Sequence, residues 1–302
     1  MNKIAIKDIL YEIQNFEISY KFIGNEHGLV HKPSSINNIE DYDLSFYRNL
    51  DFKKFYHKIN PNNLIILNNN VCSSELPKAN YLFVDNPNLC FNIAGWLFKT
   101  KRNRIHDSAK ISKSASIGKN VNIGANTIIN DKVVIGDNTR IEENCVISNS
   151  IIGKNVGIQP GVKIGSDSLG SIMHPNGKWV DFPYFGNVII EDDVVIHDNT
   201  VITRGSLNDT IIKKYSRIGP SCCIGSGVSI GLSCLIAQGC IIAGSVKIGS
   251  QSKIWGNSSI RDGLSIGKNC VIGLGAVVVK NIPDDQLWVG NPARFINNNK
   301  KN

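Results

Sequence analysis

Residues 212–278 read IKKYSR IGPSCC IGSGVS IGLSCL IAQGCI IAGSVK IGSQSK IWGNSS IRDGLS IGKNCV IGLGAV V, and an aliphatic residue opens every block of six: Ile212, Ile218, Ile224 and on without slippage to Val278. Four places after most of these stands a small or compact residue, among them Ser216, Cys222, Val228, Cys234, Cys240, Ser252 and Cys270. A helix repeats its apolar face every three or four residues and a flat strand every two, so a strict six with a second small position fits neither alone. It fits short strands joined by tight turns. Such units bury their apolar edge only by stacking on neighbours, which predicts a parallel β-helix with three hexads per triangular coil.

Working outward, the same period covers eight hexads from Ile105 to Ile147, three from Ile152 to Ile164 and three from Ile190 to Ile202. With the twelve from Ile212 that makes 26 hexads, nearly nine coils, and a prism roughly 40 Å long at about 4.8 Å per stacked strand. Three interruptions stand out, and breaks in a solenoid are where function usually sits. One residue is missing after Ile147, a loop of residues 166–188 leaves the prism, and a shorter one carries Thr203 to Ile211. The repeated Ile-Gly pairs, such as Ile117-Gly118, Ile135-Gly136 and Ile248-Gly249, place glycine beside the corners, where an unusual backbone angle is expected.

Residues 1–100 lack the period and carry most of the aromatics, which marks a separate N-terminal α/β domain. Its apolar runs Leu64–Leu67 and Tyr81–Val84 read as buried strands between Asn- and Pro-rich turns such as Asn86-Pro87, and residues 93–99 as a helix leading into the prism. The prism domain then spans 101–282. A C-terminal tail, 283–302, follows, in which two prolines argue against another coil and the last six residues are polar enough to be disordered.

Composition narrows the function classes. With 42% apolar residues in 302 the chain is an ordinary folded protein, and neither a signal peptide nor a membrane span is visible, so a cytoplasmic protein is expected. The formal charge of +8 comes from scattered lysines without an aromatic and arginine stacking pattern, which speaks against nucleic acid and suits an anionic small molecule. Five of the eight cysteines (Cys145, Cys222, Cys234, Cys240, Cys270) fall in the small inward slot, so they are expected as buried packing residues and no metal is assigned.

Three further segments, DLSFYRNLDFKKF, GSDSLG to GKWVDFPYFGNVIIEDDVVI, and NTVITRGSLNDTII, resemble in order and spacing the UDP-3-O-acylglucosamine N-acyltransferases of lipid A biosynthesis over roughly residues 20–250. The resemblance implies a left-handed parallel β-helix behind a uridine-binding domain. It also implies that Phe46, Asn49 and Phe52 hold the uracil ring, by stacking and by pairing of the amide with the base edge. The same two rings also read as core aromatics, and the residues alone leave both readings open. The family's base histidine and its supporting aspartate correspond here to Ser226 and Gly219, so the likeness implies a relative and not the lipid A enzyme itself. The ending GLGAVVVKNIPDDQLWVGNPARFI resembles instead the tail of coenzyme A-dependent hexapeptide acetyltransferases, which implies acyl-CoA as co-substrate bound along Ala243, Gly244, Gly275, Ala276, Lys280 and Arg294.

Amide formation at neutral pH calls for a base, usually histidine. His197 directly follows Ile196, so strand alternation turns it outward, where subunits of an expected homotrimer would meet; His174 lies in the inserted loop. An amino sugar whose amine attacks without a protein base is the third possibility. The expected activity is transfer of an acetyl or short hydroxyacyl group from acyl-CoA to the amine of a UDP- or dTDP-linked amino sugar in surface glycan synthesis. Its alternatives are a catalytically inactive nucleotide-sugar binder and an N-acyltransferase of the lipid A type that takes its acyl group from acyl-carrier protein.

Overall fold

The computed structural model describes residues 3–49, 51–99 and 105–299, in two compact units, 1–101 and 102–302. In the first unit a five-stranded sheet runs in the order Lys21–Ile23, Asn80–Val84, Leu64–Asn68, Asp43–Tyr47, Lys32–Pro33, parallel except for the first edge strand. Alternation along Leu64–Leu67 divides the core: Leu64 and Ile66 face helices α1 (Ile6–Asn15) and α2 (Pro87–Leu97), while Ile65 and Leu67 face the 3-10 segment Phe52–Lys58. Both predicted strands are buried as expected. Asn86-Pro87 is not a turn but a helix start. The Asn86 side chain accepts the Leu89 N–H at 3.1 Å and Pro87 fills the first helical position, so α2 begins six residues before the predicted 93.

The second unit is a parallel β-solenoid. Its strands, mostly two residues long, stack into three faces. Taken in the order the chain visits them, the first face holds Ile123, Ile141, Ile158, Ile196, Ile218, Ile236, Ile254 and Ile272; the second runs from Ile111 to Val278; the third from Ile117 to Ile266. Nearly every repeat isoleucine from Ile123 onward is fully buried, as are the compact residues four places on, in one continuous core. The inward slot does more than fill space. Ser216 Oγ donates to Gly231 O at 2.8 Å in the next coil and accepts the Cys234 N–H at 3.1 Å, and Ser252 does the same with Gly267 and Cys270. Cysteine substitutes for serine as the donor: Cys222 Sγ lies 3.0 Å from Ala237 O and Cys234 Sγ 3.2 Å from Gly249 O. The slot therefore closes a buried carbonyl that would otherwise cost about 1–3 kcal/mol.

The glycines that follow isoleucine have a different role from the expected one. Positive φ occurs two residues later, at Asn120, Asn126, Asn138, Asn155, Gly227, Ser245, Asn257 and their equivalents. Asparagine tolerates that left-handed geometry best among residues with a side chain. Gly118, Gly124, Gly136 and Gly249 have ordinary φ but lie against the next coil: a Cβ at Gly124 would sit 2.6 Å from the Glu142 carbonyl carbon, and one at Gly136 2.6 Å from that of Gly153. Coil-to-coil approach selects them.

The tail also departs from expectation. Ile282 bridges to Ile266, and Gln286–Val289 pairs in parallel with Val271–Ile272, burying Trp288; Arg294–Asn298 then returns antiparallel. Both prolines stand outside these strands, so neither removes a ladder donor. Of the six terminal residues expected to be disordered, 297–299 are ordered and 300–302 lie outside the described residues. Residues 166–188 are no plain loop either: Ser171–Met173 and Trp179–Asp181 form an antiparallel hairpin turned at Gly177.

Two outcomes are expected. Gly124→Ala should destabilise by about 1–3 kcal/mol, through overpacking against backbone that has no rotamer to yield, while Asn126→Gly should change stability by less than about 1 kcal/mol; denaturant unfolding compares them. Burial pushes the Cys145 and Cys90 thiols up to about 11, whereas Cys72, exposed and hydrogen-bonded to the Ser74 hydroxyl, is lowered. Iodoacetamide at pH 8 should therefore modify only Cys72 and Cys223 in the folded protein and all eight cysteines after denaturation, as read by mass spectrometry.

Candidate functional site

All three breaks in the repeat fall at one corner. Ile147, Ile164 and Ile202 stack in successive coils of the second face, and after each the chain enters the third face, at Ile152, Ile190 and Ile212. The missing residue, the hairpin and the short loop thus share the edge between the second and third faces. They are also bonded together. Asn149 Nδ2 donates to Gly165 O at 3.0 Å, the Arg204 N–H to Ser166 O at 2.9 Å, the Phe185 N–H to Ser206 O at 2.8 Å, and the Asn187 N–H to Asp209 Oδ1 at 2.7 Å. Side chains have no room at Gly165 or Gly205, where a Cβ would overlap the Ser148 and Asn208 carbonyl oxygens respectively. The junction is consequently rigid.

From this junction the register Ile202–Ile224–Ile242–Ile260–Val278 carries the same edge onward. Two residues past each of these stand Arg204, Ser226, Gly244, Asp262 and Lys280, one coil, about 4.8 Å, apart. On the next edge round, side chains close the equivalent amides, with Asp137 accepting from Lys119 N–H, Asp192 from Lys154 and Asp284 from Lys268. Ser226 and Gly244 N–H have no acceptor among the described residues. Arg204 is anchored by Asp167, with Nε 2.6 Å from Oδ1. An outward edge of open amides and guanidinium suits a carbonyl or an oxyanion.

Of the residues singled out from the sequence, Ala243, Gly244 and Lys280 lie on this edge, and Lys280 Nζ sits 5.2 Å above the Trp288 ring. Gly275 and Ala276 do not. They turn the edge between the first and second faces, their N–H groups are donated to Gly256 O and Gly273 O, and the Ala276 side chain is sealed in the core, so the expected role of offering amides to a donor falls away for both. Arg294 is on the returning terminal strand, with Nη1 on its own neighbour's carbonyl, Ala293 O. His197 is exposed, one residue past Ile196 on the first face, with its N–H on Ile218 O. His174 begins the hairpin turn, its Nδ1 accepting the Asn176 N–H, beside an open apolar groove of about 430 Å³ lined by Ile172, Met173, Val180 and Phe182. Within one chain His197 lies on a different edge from the open amides.

In the N-terminal unit Phe46 is half-buried on the helix-covered face, 4.5 Å from the Phe91 ring, and Asn49 is exposed beyond the strand end. Phe52 is 1% exposed on the opposite face, walled by Tyr47, Phe55 and Tyr56. Its ring has no face free for a base, so it supports the core and is not a stacking partner. Among the described residues no group of three metal-ligating side chains converges. Arg204, Asp167 and Asp209 received no role from sequence reasoning, though TRGSLNDT is a polar run cutting an otherwise aliphatic period.

Residues 99–208 match the family model of the GMPPB C-terminal domain, and residues 245–280 the hexapeptide repeat of succinyl-transferase. The UDP-3-O-acylglucosamine N-acyltransferase of Caulobacter sp. (strain K31) is 34% identical over 149 residues, 49% of this chain and 44% of that protein. A probable mitochondrial UDP-3-O-acylglucosamine N-acyltransferase of Arabidopsis thaliana is 36% identical over 147 residues, 49% and 48% of the two chains. The chain thus spans less than half the length of these curated relatives. Among solved structures, LpxA from Acinetobacter baumannii aligns with a TM-score of 0.57 and 25% identity over 64% of this chain and 74% of that one. Over about half of its length the chain is thus similar to UDP-3-O-acylglucosamine N-acyltransferases, and residues 245–280 carry the hexapeptide repeat.

Proposed function

We propose that the protein transfers an acetyl or short hydroxyacyl group from acyl-CoA to the amine of a nucleotide-linked amino sugar. The observation that carries this reading is the junction of all three solenoid breaks on one edge that continues into the open amides of Ser226 and Gly244, in a chain about half of which is similar to N-acyltransferases. In the reaction the amine attacks the thioester carbonyl, the C–N bond forms as the carbonyl oxygen takes negative charge, and collapse expels the thiolate. Amides fixed by the solenoid ladder are preorganised for that oxygen, and one such donor is typically worth 10²–10³ in rate.

The attacking nitrogen must lose a proton. We assign that role to His197, exposed on the first face, acting on the amide edge of a neighbouring copy in a homotrimer; a single chain holds the two on different edges. His174 is the second candidate. In the N-terminal unit Phe46 and Asn49 receive the uracil or thymine ring, with Phe52 packed behind the sheet as support.

Incubating the protein with acetyl-CoA and a panel of UDP- and dTDP-linked amino sugars, while following free thiol, should show release with at least one acceptor; silence across the panel sinks the enzymatic reading. His197→Asn should lower kcat about 10²–10⁴-fold and His174→Asn less than tenfold. Full activity in both variants would instead mean that the amine attacks without a protein imidazole.

A further inference from the structure

We infer that Arg204 is the receptor for a phosphate group of a substrate at the interrupted edge. Its side chain is only 19% exposed, yet the only partner of the guanidinium among the described residues is Asp167, on Nε. The two terminal nitrogens, with four N–H groups, meet no acceptor there. A cation held this far out of solvent with most of its donors open is poised for a ligand that accepts two parallel hydrogen bonds, and the planar fork of arginine matches a phosphate in that way.

Position supports the assignment. Arg204 is the second residue after Ile202, so it begins the column that continues to Ser226 and Gly244. Its own N–H is fixed on Ser166 O, and the following residue must be glycine to clear Asn208 O, so the guanidinium leaves a backbone without freedom to drift. Asp167 is 60% exposed and takes only the Nε edge, which orients the fork and leaves its open side for an anion. The simpler role, a strap joining the hairpin base to the short loop, uses Nε alone and leaves the terminal nitrogens unexplained.

Two phosphate sources share this chemistry, the diphosphate of a nucleotide sugar and that of coenzyme A. The inference rests on the proposed activity only for this choice of probes. Isothermal titration of the full-length protein with inorganic pyrophosphate, UDP and coenzyme A, for wild type, R204Q, R204K and D167N, separates the possibilities, with circular dichroism confirming the fold of each. Pyrophosphate should bind wild type, bind R204Q at least tenfold more weakly, R204K at an intermediate level, and D167N as well as wild type or better, because asparagine keeps an Oδ1 that accepts from Nε and removes the carboxylate charge that repels the anion. UDP weakened in R204Q with coenzyme A unchanged assigns the acceptor; the reverse assigns the donor. No pyrophosphate binding to wild type, undiminished binding to R204Q, or equal losses in R204Q and D167N would overturn the inference, the last by reducing Arg204 to a strap. Arg204-dependent binding without thiol release under any acceptor would preserve the anion site and remove the enzymatic reading instead.

Discussion

The stacking distance between coils governs this molecule. A coil about 4.8 Å above another leaves room at the corner for backbone and little else, which is why glycine recurs directly after the repeat isoleucine. The same distance requires each corner to turn within two or three residues, which a left-handed residue at the fourth hexad position supplies, usually asparagine or glycine. Once the turn is made, the buried carbonyl it leaves is closed by a serine, threonine or cysteine from the coil before. Isoleucine, glycine, asparagine and serine thus answer four separate demands of one geometry.

That geometry also decides where chemistry can sit. The interior is filled by isoleucine and the compact slot residues in one continuous core. Function is pushed to the outer edges, and of the three edges one is irregular in three consecutive coils. An insertion there leaves the ladders of all three faces continuous, since Ile164 still pairs with Ile202 and Ile190 with Ile212. Lengthening a corner loop is inexpensive in chain entropy, about 0.6 kcal/mol for each doubling, so the edge can be elaborated without loss of the scaffold.

Much of this was legible in the residues. The period of six gave the solenoid and its inward pairs because burial is the strongest pattern a sequence carries. The convergence of the breaks was also present: the blocks Ile152–Ile164 and Ile190–Ile202 each hold three hexads, one whole coil, so successive interruptions must return to the same corner. The glycine role was misjudged because tight approach and unusual φ leave the same residue behind, and only asparagine two positions on distinguishes them. Phe52 illustrates a harder limit. A six-residue separation between aromatics places a base-stacking pair only if both rings share a face, and a strand followed by a 3-10 turn sends Phe46 and Phe52 to opposite sides of the sheet.

Arg204 was hidden for a related reason. Within TRGSLNDT it is one polar residue among several, and nothing local shows that most of its side chain is covered while its terminal nitrogens meet no acceptor among the described residues. That distinction is created by residues far away in sequence: Ser166 and Asp167 from the base of the hairpin, and the coil that brings Ser226 alongside. A rigid scaffold can hold a mostly buried arginine with open donors because the cost is spread over the ladder that fixes its backbone, whereas a free loop would relax to hydrate it. Preorganisation of the edge is therefore a property of the solenoid's stacking, and the same bonds that bury isoleucine inside set the position of the charges outside.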